Sequence, residues 1–300
     1  MEQSYQRTYR LKEPHLNIDI ACVSCIINQS VKVSDAIGAD DRLRESIIST
    51  VQTMSEDFSF SQNPPEIAAD VYEKMSQIAN KSDLYDEVKA LSTTKALSFI
   101  PLLKSKLSKS NDKLLSATKI AVAGNVIDLA AEVEFDLEDE LVNIFDTEFA
   151  HNDFDKLQDN LKIAKNVVVL GDNVGEHIFD YLFIETLQKL YPSIDFTYMV
   201  RGRPIINDVT MKEAKEAGFD NLCNLVDSGV NTPGFAYTRA TTEARELFDS
   251  ADLVISKGMG NYECLSDSHK NNICFLLKVK CGVVASSLNK DIGDIICKII

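Results

Sequence analysis

The sequence predicts a doubly wound α/β fold, a mainly parallel sheet with helices on both faces, preceded by an N-terminal all-α helical domain. Two observations carry this. From residue 116 onward, short β-branched apolar runs alternate with helical stretches. Several of those runs are apolar on both faces, as a parallel strand covered by helices must be. Before that point the apolar residues recur at helical spacing and strand signal is nearly absent. The chain is therefore divided into a helical domain over 1–115 and an α/β domain over 116–300.

Taken in order, "DRLRESIISTVQTMSEDF" (41–58), "PPEIAADVYEKMSQIA" (64–79) and "DLYDEVKALSTTKALSFIPLLKSKL" (83–107) read as amphipathic helices. Pro64 and Pro65 suit a first helical turn, with Asn63 as the N-cap before them. Strands are expected at 119–124 ("KIAVAG"), 166–171 ("NVVVLG"), 194–200 ("IDFTYMV"), 221–227 ("NLCNLVD"), 251–256 ("ADLVIS") and 281–286 ("CGVVAS"). Helices are expected between them at 175–190, 210–217 and 240–250.

Charge narrows the function. Thirty-one Lys and Arg against 46 Asp and Glu leave a net charge of −15. That field repels phosphate backbones and anionic lipid, which disfavours nucleic acid and membrane surfaces as partners. An acidic protein that handles a phosphorylated small molecule needs a local cation, and a divalent metal is the usual source. No stretch approaches the roughly 18 apolar residues of a membrane span, and the first residues lack a secretory apolar core. Seven cysteines, an odd number, suit reduced thiols in a cytoplasm.

In open parallel sheets, ligands bind beyond the carboxyl ends of the strands. There this sequence places "GNVID" (124–128), "GDNVGE" (171–176), "RGRPIINDVT" (201–210), "SGVNTPG" (228–234) and "KGMGNYE" (257–263). Asp172 and Asn173 offer a carboxylate and an amide oxygen to a hard divalent ion. Asn173 followed by Glu176 also fits an N-cap with its capping-box acid. Thr210 and Glu213 make a better capping box, which leaves Asp208 free as a third candidate ligand. Lys257 beside Gly258 and Gly260 offers charge and closely approaching backbone N–H groups to an anion. Arg201 and Arg203 add further phosphate-directed charge. Neither the phosphate-loop nor the dinucleotide glycine spacing is present. Cys22 and Cys25 have C-x-x-C spacing without the second pair a zinc site wants. Core packing, redox and metal roles all stay open for them. His15, His151, His177 and His269 show no ligand spacing, and no Ser-His-Asp order fits the strand ends.

The stretches "CVSC", "DLYDEVK", "GNVID", "GDNVGEHIFD", "VRGRPIINDVT" and "KGMGNYE", in that order over nearly the whole chain, resemble the damage-control metal-phosphatase family, long catalogued as domain of unknown function 89. The N-terminal C-x-x-C is similar to its microbial branch. Leu84 departs from the proline usual there. The resemblance implies an α/β core with a helical N-terminal domain and a divalent metal (Mg, Mn, Co or Ni) on Asp172, Asn173 and Asp208. It implies phosphate held by Lys257 with the Gly258 backbone, and a pocket lined by Asn125, Asp128, Arg201 and Asn261. Asp172, Asp208 and Lys257 would be catalytic. The implied activity is hydrolysis of small phosphorylated metabolites. Two other readings stand beside it: an S-adenosylmethionine-dependent carboxyl methyltransferase, with "AGNVID" as the cofactor turn, and a non-catalytic metabolite-binding protein. Sensitivity to chelation separates the phosphatase from both.

Overall fold

The structure, a computed structural model, describes residues 16–126 and 141–300, apart from the side chains of Asn125 and Val126. Five helices come first: α1 (Ile20–Ala36), α2 (Asp41–Ser55), α3 (Pro64–Ala79), α4 (Asp86–Lys109) and α5 (Lys113–Val126). Beyond the helical residues 141–146 follow β1 (His151–Asn152), α6 (Phe154–Ile163), β2 (Asn166–Leu170), α7 (Glu176–Leu190) and β3 (Asp195–Val200). Then come α8 (Met211–Glu216), α9 (Phe219–Leu222), β4 (Asn224–Asp227), α10 (Thr242–Ser250), β5 (Leu253–Lys257) and α11 (Gly258–Leu265). The chain closes with β6 (Ile273–Lys278), α12 (Gly282–Leu288) and β7 (Ile295–Ile299).

The strands form one seven-stranded sheet in the order β1-β7-β6-β5-β2-β3-β4, parallel throughout except for the β6–β7 pair. The chain runs outward from β2 through β3 and β4, then returns to β5 on the other side of β2. The topological switch point therefore lies between β2 and β5, where open sheets bind ligands. Successive residues of each strand enter opposite cores. Val167, Val169, Tyr198, Ile255 and Leu276 pack under α4, α5 and α7. Val168, Leu170, Met199, Val254 and Phe275 pack under α10, α11 and α12. A third core joins α1, α2 and α3 through Val33, Ile47, Val51, Val71 and Met75, and Ile205 from the loop after β3 is buried in it.

Two expected strands are helices. Residues 119–124 belong to α5, where Ala117, Ile120, Ala121, Val122 and Ala123 are all buried. A short run apolar on every side does not distinguish a strand from an enclosed helix by periodicity, and its alanines favour the helix. Residues 282–286 of the expected last strand open α12: Cys281 is its N-cap, Sγ accepting from Val284 N at 3.5 Å, and Asn289 closes it at φ 52°. The sheet instead takes β1, β6 and β7, none of which was expected. The 115/116 position lies inside α5, and Ala96, Phe99 and Leu103 of α4 share a core with the sheet.

α3 begins at the two prolines as expected, but the Asn63 side chain does not cap it. Its Nδ2 donates instead to the Glu263 carbonyl at 2.9 Å, tying the helical layer to α11.

Candidate active site

β2 is followed by Gly171, whose N–H donates to the Met199 carbonyl at 3.0 Å. A Cβ there would lie 2.6 Å from the Tyr198 hydroxyl, so only glycine turns the chain this close to β3. Asp172 and Asn173 follow immediately. The loop after β3 returns beside them: Val209 N–H donates to the Asp172 carbonyl and Val174 N–H to that of Asn207, both at 2.8 Å. Asn173 and Asp208 are thereby paired as a short antiparallel bridge. Thr210 and Glu213 form the expected capping box of α8, which fixes the chain just beyond Asp208.

Asn173 is not the cap of α7. That helix begins at Glu176 with Gly175 as N-cap, at φ 95°. The Asn173 Nδ2 donates instead to Glu176 Oε1 at 2.8 Å and Asp172 Oδ2 at 3.2 Å. The extra residues of the turn are what separate it from the cap position.

Arg201 joins the two loops. Its Nε donates to Asp208 Oδ2 at 2.7 Å, and its Nη2 lies 3.8 Å from Asp172 Oδ1. The residue is buried, and Nη2 has no hydrogen-bond partner among the described residues. Gly258, after β5, brings its backbone against the same carboxylate. At φ +76°, a Cβ there would fall 1.9 Å from Asp172 Oδ2.

Lys257 is fully buried and points to Asp180, with Nζ to Oδ1 at 2.5 Å; Glu176 Oε2 is 4.0 Å away. Tyr198 donates to the other Asp180 oxygen at 3.1 Å. Burial opposes the Lys257 charge, but Asp180 and Glu176 outweigh it and hold the ammonium above its ordinary pKa. Asn261 has no side-chain donor left for phosphate. Its Nδ2 donates to the Gly171 and Lys257 carbonyls, and its Oδ1 accepts from Phe235 N–H. Its expected place in the pocket lining becomes that of a tie between three loops. Asn125 lies near the end of α5, its side chain outside the described residues, as is all of Asp128. Gly124 just before them meets Glu176, where an added Cβ would sit 2.9 Å from the Glu176 Cβ.

Sequence reasoning left Asp180 unassigned and took Glu176 only as a capping acid. Their signal is present: two acids at i and i+4 on the otherwise apolar buried face of α7. It also missed Lys89 of α4, buried between Asp83 (2.9 Å) and Glu213 (3.6 Å), which fastens the helical layer to the cap beside Asp208.

The cluster thus buries four acids (Asp172, Glu176, Asp180, Asp208) with two bases (Arg201, Lys257). Burial raises Asp172 well above the carboxylate range, and Glu176 and Asp208 push it the same way against Arg201. Burial likewise lifts Asp208 to about 6 against the pull of Arg201. With all four acids ionised, the excess is two negative charges, which one divalent cation balances. Two carboxylates and an amide are hard oxygen donors suited to such an ion. Among the described residues no three His, Cys, Asp or Glu side chains converge on a metal position.

Cys22 and Cys25 are free thiols on the first two turns of α1, the former half-buried and the latter exposed. His177 is buried; its Nδ1 accepts from Gly175 N–H at 2.9 Å, and burial pulls its pKa down to about 4.

The family model described as "Damage-control phosphatase ARMT1-like domain" matches residues 18–296. A damage-control phosphatase of Pyrococcus horikoshii is 30% identical over 284 residues, covering 94% of this chain and 98% of that protein. A damage-control phosphatase of Archaeoglobus fulgidus is 30% identical over 291 residues, covering 95% and 100%. The crystal structure of a domain-of-unknown-function-89 protein from P. horikoshii superimposes with a TM-score of 0.88 at 28% identity, covering 95% of this chain and 99% of that one.

Proposed function

The chain belongs to the damage-control phosphatase ARMT1-like family, and from that premise and the geometry we propose that it is a divalent-metal-dependent phosphatase of small phosphorylated metabolites. The observation that carries this reading is the convergence of Asp172 and Asp208, from the ends of two neighbouring strands, on one buried arginine with an unspent donor.

Asp172, Asn173 and Asp208 would hold the metal, which supplies Lewis acidity toward a phosphoryl oxygen. Arg201 directs Nη2 at the negative charge of the phosphoryl group while Nε keeps Asp208 in place. The Gly258 N–H, at the start of α11, adds a backbone donor at the positive end of a helix dipole. Lys257 contributes charge to the site while Asp180 and Glu176 fix its position. Burial of the whole cluster strengthens these interactions by lowering the local dielectric. The nucleophile is either water or Asp172. Rapid quenching followed by borohydride separates the two, because only an aspartyl phosphate at Asp172 is reduced to homoserine.

The methyltransferase reading needs a glycine-rich turn after a first strand at 119–124, and that stretch is helical. Nothing in the geometry favours it. A cytoplasmic setting remains part of the proposal; among the described residues no helix is long and apolar enough to cross a membrane.

The test is phosphate release across sugar phosphates, nucleotides and phosphopantetheine with Mg, Mn, Co or Ni and a chelator control. Metal-dependent release abolished by Asp208→Ala is expected. Release indifferent to chelator and to that substitution would overturn the site assignment.

A further inference from the structure

Beside the acidic cluster lies a cavity of about 320 Å³, between α3 and the 203–206 loop. Three connections link it to the site. The Asp208 N–H donates to the carbonyl of Ile205, whose backbone lies in that loop. The Tyr72 side chain lines the cavity and lies within electrostatic reach of Asp208. Ile206, at φ 47°, holds a left-handed conformation that costs a β-branched residue energy, and such strain gathers at ligand clamps.

The lining constrains what enters. At about 320 Å³ the cavity is at the small end of ligand pockets, which run from roughly 300 to 1,000 Å³. Its one aromatic ring, Tyr72, is buried in the α3 wall with its hydroxyl donating to Gln29 Oε1 at 3.1 Å, so no slot forms to stack a nucleobase. Ser76 and Asn231 supply neutral hydrogen-bonding groups. Arg203 is the cavity's single basic side chain; it is exposed and has no ion pair among the described residues. Of the two lining acids, Asp83 is already paired with Lys89, and Glu73 stands on the α3 wall across the cavity from the Arg203 loop. An unpaired arginine in a chain of net charge −15 attracts an anion that the remaining surface repels.

We propose that this cavity receives the organic part of the phosphomonoester and that Arg203 at its rim reads a second anionic group, carboxylate or phosphate. This rests on the phosphatase reading above. The preferred substrates are then small, doubly anionic phosphomonoesters, with nucleotides disfavoured. The second anion gains a charge-assisted hydrogen bond to the guanidinium, which the singly anionic analogue lacks.

Matched pairs test it: 3-phosphoglycerate against glycerol 3-phosphate for the carboxylate, and fructose 1,6-bisphosphate against fructose 1-phosphate for the phosphate. The wild type is expected to prefer the doubly anionic member of at least one pair by about 10-fold or more in kcat/KM. Arg203→Gln should bring that ratio to about one through KM, and Arg203→Lys should restore part of it. The responding pair identifies the anion. Absence of preference in both pairs, or a preference that survives Arg203→Gln, overturns the inference while phosphate release itself upholds the phosphatase reading. Release from none of the four compounds under any metal also overturns the inference, and the wider screen above then decides the phosphatase reading separately.

Discussion

Two regions of one sheet, equally apolar along their strands, differ in what they enclose. Where β2, β3 and β5 end, the molecule buries four acids with two bases. Where β6 and β7 pair, it buries aliphatic side chains and two thiols, Cys274 and Cys297, with sulfurs 4.0 Å apart. Strand direction accounts for part of this. β7 runs antiparallel to β6, so its carboxyl end points away from the edge that β2, β3 and β5 share. Cost accounts for the rest. Buried charge is tolerated only when paired or when it holds a ligand, and the cluster carries more acid than its bases can pair. The distal region is built for stability. On the proposed assignment, the switch-point region gives up stability for a place to bind a cation and phosphate.

The largest effect that sharpens this contrast comes from Asp172→Asn. It removes a proposed metal ligand and one of the crowded carboxyl groups together. Phosphate release should fall by about 10³-fold, the equivalent of several kcal/mol of charge stabilisation. Without metal, the melting temperature of the variant should match or exceed that of the wild type, because a carboxyl whose anion burial, Glu176 and Asp208 all disfavour is replaced by a neutral amide. A lower melting temperature would mean that this acid serves the fold.

Lys257→Met comes next. It leaves Asp180 buried with the Tyr198 hydroxyl donating to it at 3.1 Å, and should cost about 3–5 kcal/mol in urea unfolding. A cost below about 1 kcal/mol would show the Lys257–Asp180 pair to be dispensable for stability.

In the distal region, Asp153 fastens β7. Its Oδ2 accepts from Ile299 N–H at 2.9 Å, Lys156 is 2.8 Å from its other oxygen, and His151 lies 3.0 Å away. Burial acts to raise its pKa, but those three partners outweigh burial and bring it down to about 2, from 3.8. The unfolded chain therefore binds more protons between those values. The stabilisation, about 2 kcal/mol, is complete above pH 4 and is lost as pH falls through 2. Asp153→Asn should remove it, so that the two stability curves converge in acid. Parallel curves from pH 2 to 6 would contradict the assignment.

The smallest effect is expected of Cys297→Ala, which shortens a buried thiol to a methyl. It should cost about 1 kcal/mol and leave phosphate release unchanged. A loss of activity would join the two regions that the comparison separates.

How much of this was legible in the sequence follows from the same contrast. β2, β3 and β5 could be read because each β-branched run stops at glycine, arginine or lysine, where the chemistry begins. β6, "ICFLLK", is as apolar but leads to no such motif, and β7 ends the chain without one. The 119–124 and 281–286 runs carried the same apolar signal and folded as helices, because burial on all sides erases the difference in period. At the site, acids directly after strands were visible. Glu176 and Asp180 were hidden inside a helix, where an acid reads as solvated until the opposing Lys257 is seen. The roles of Asn261 and Lys89 depend on partners far away in the chain, Gly171 and Glu213, which local pattern does not reveal.

The central claim is that Asp172, Asn173 and Asp208 form one divalent-metal site, and titration calorimetry with Mn²⁺ tests it most directly. Removing even an outer partner of a metal ligand weakens binding by about 10–100-fold, so losing a ligand should cost at least about 100-fold. The account predicts one site in the wild-type protein, weakened to that extent by Asp172→Asn and by Asp208→Asn alike. Mn²⁺ binding of unchanged affinity in both variants would contradict it.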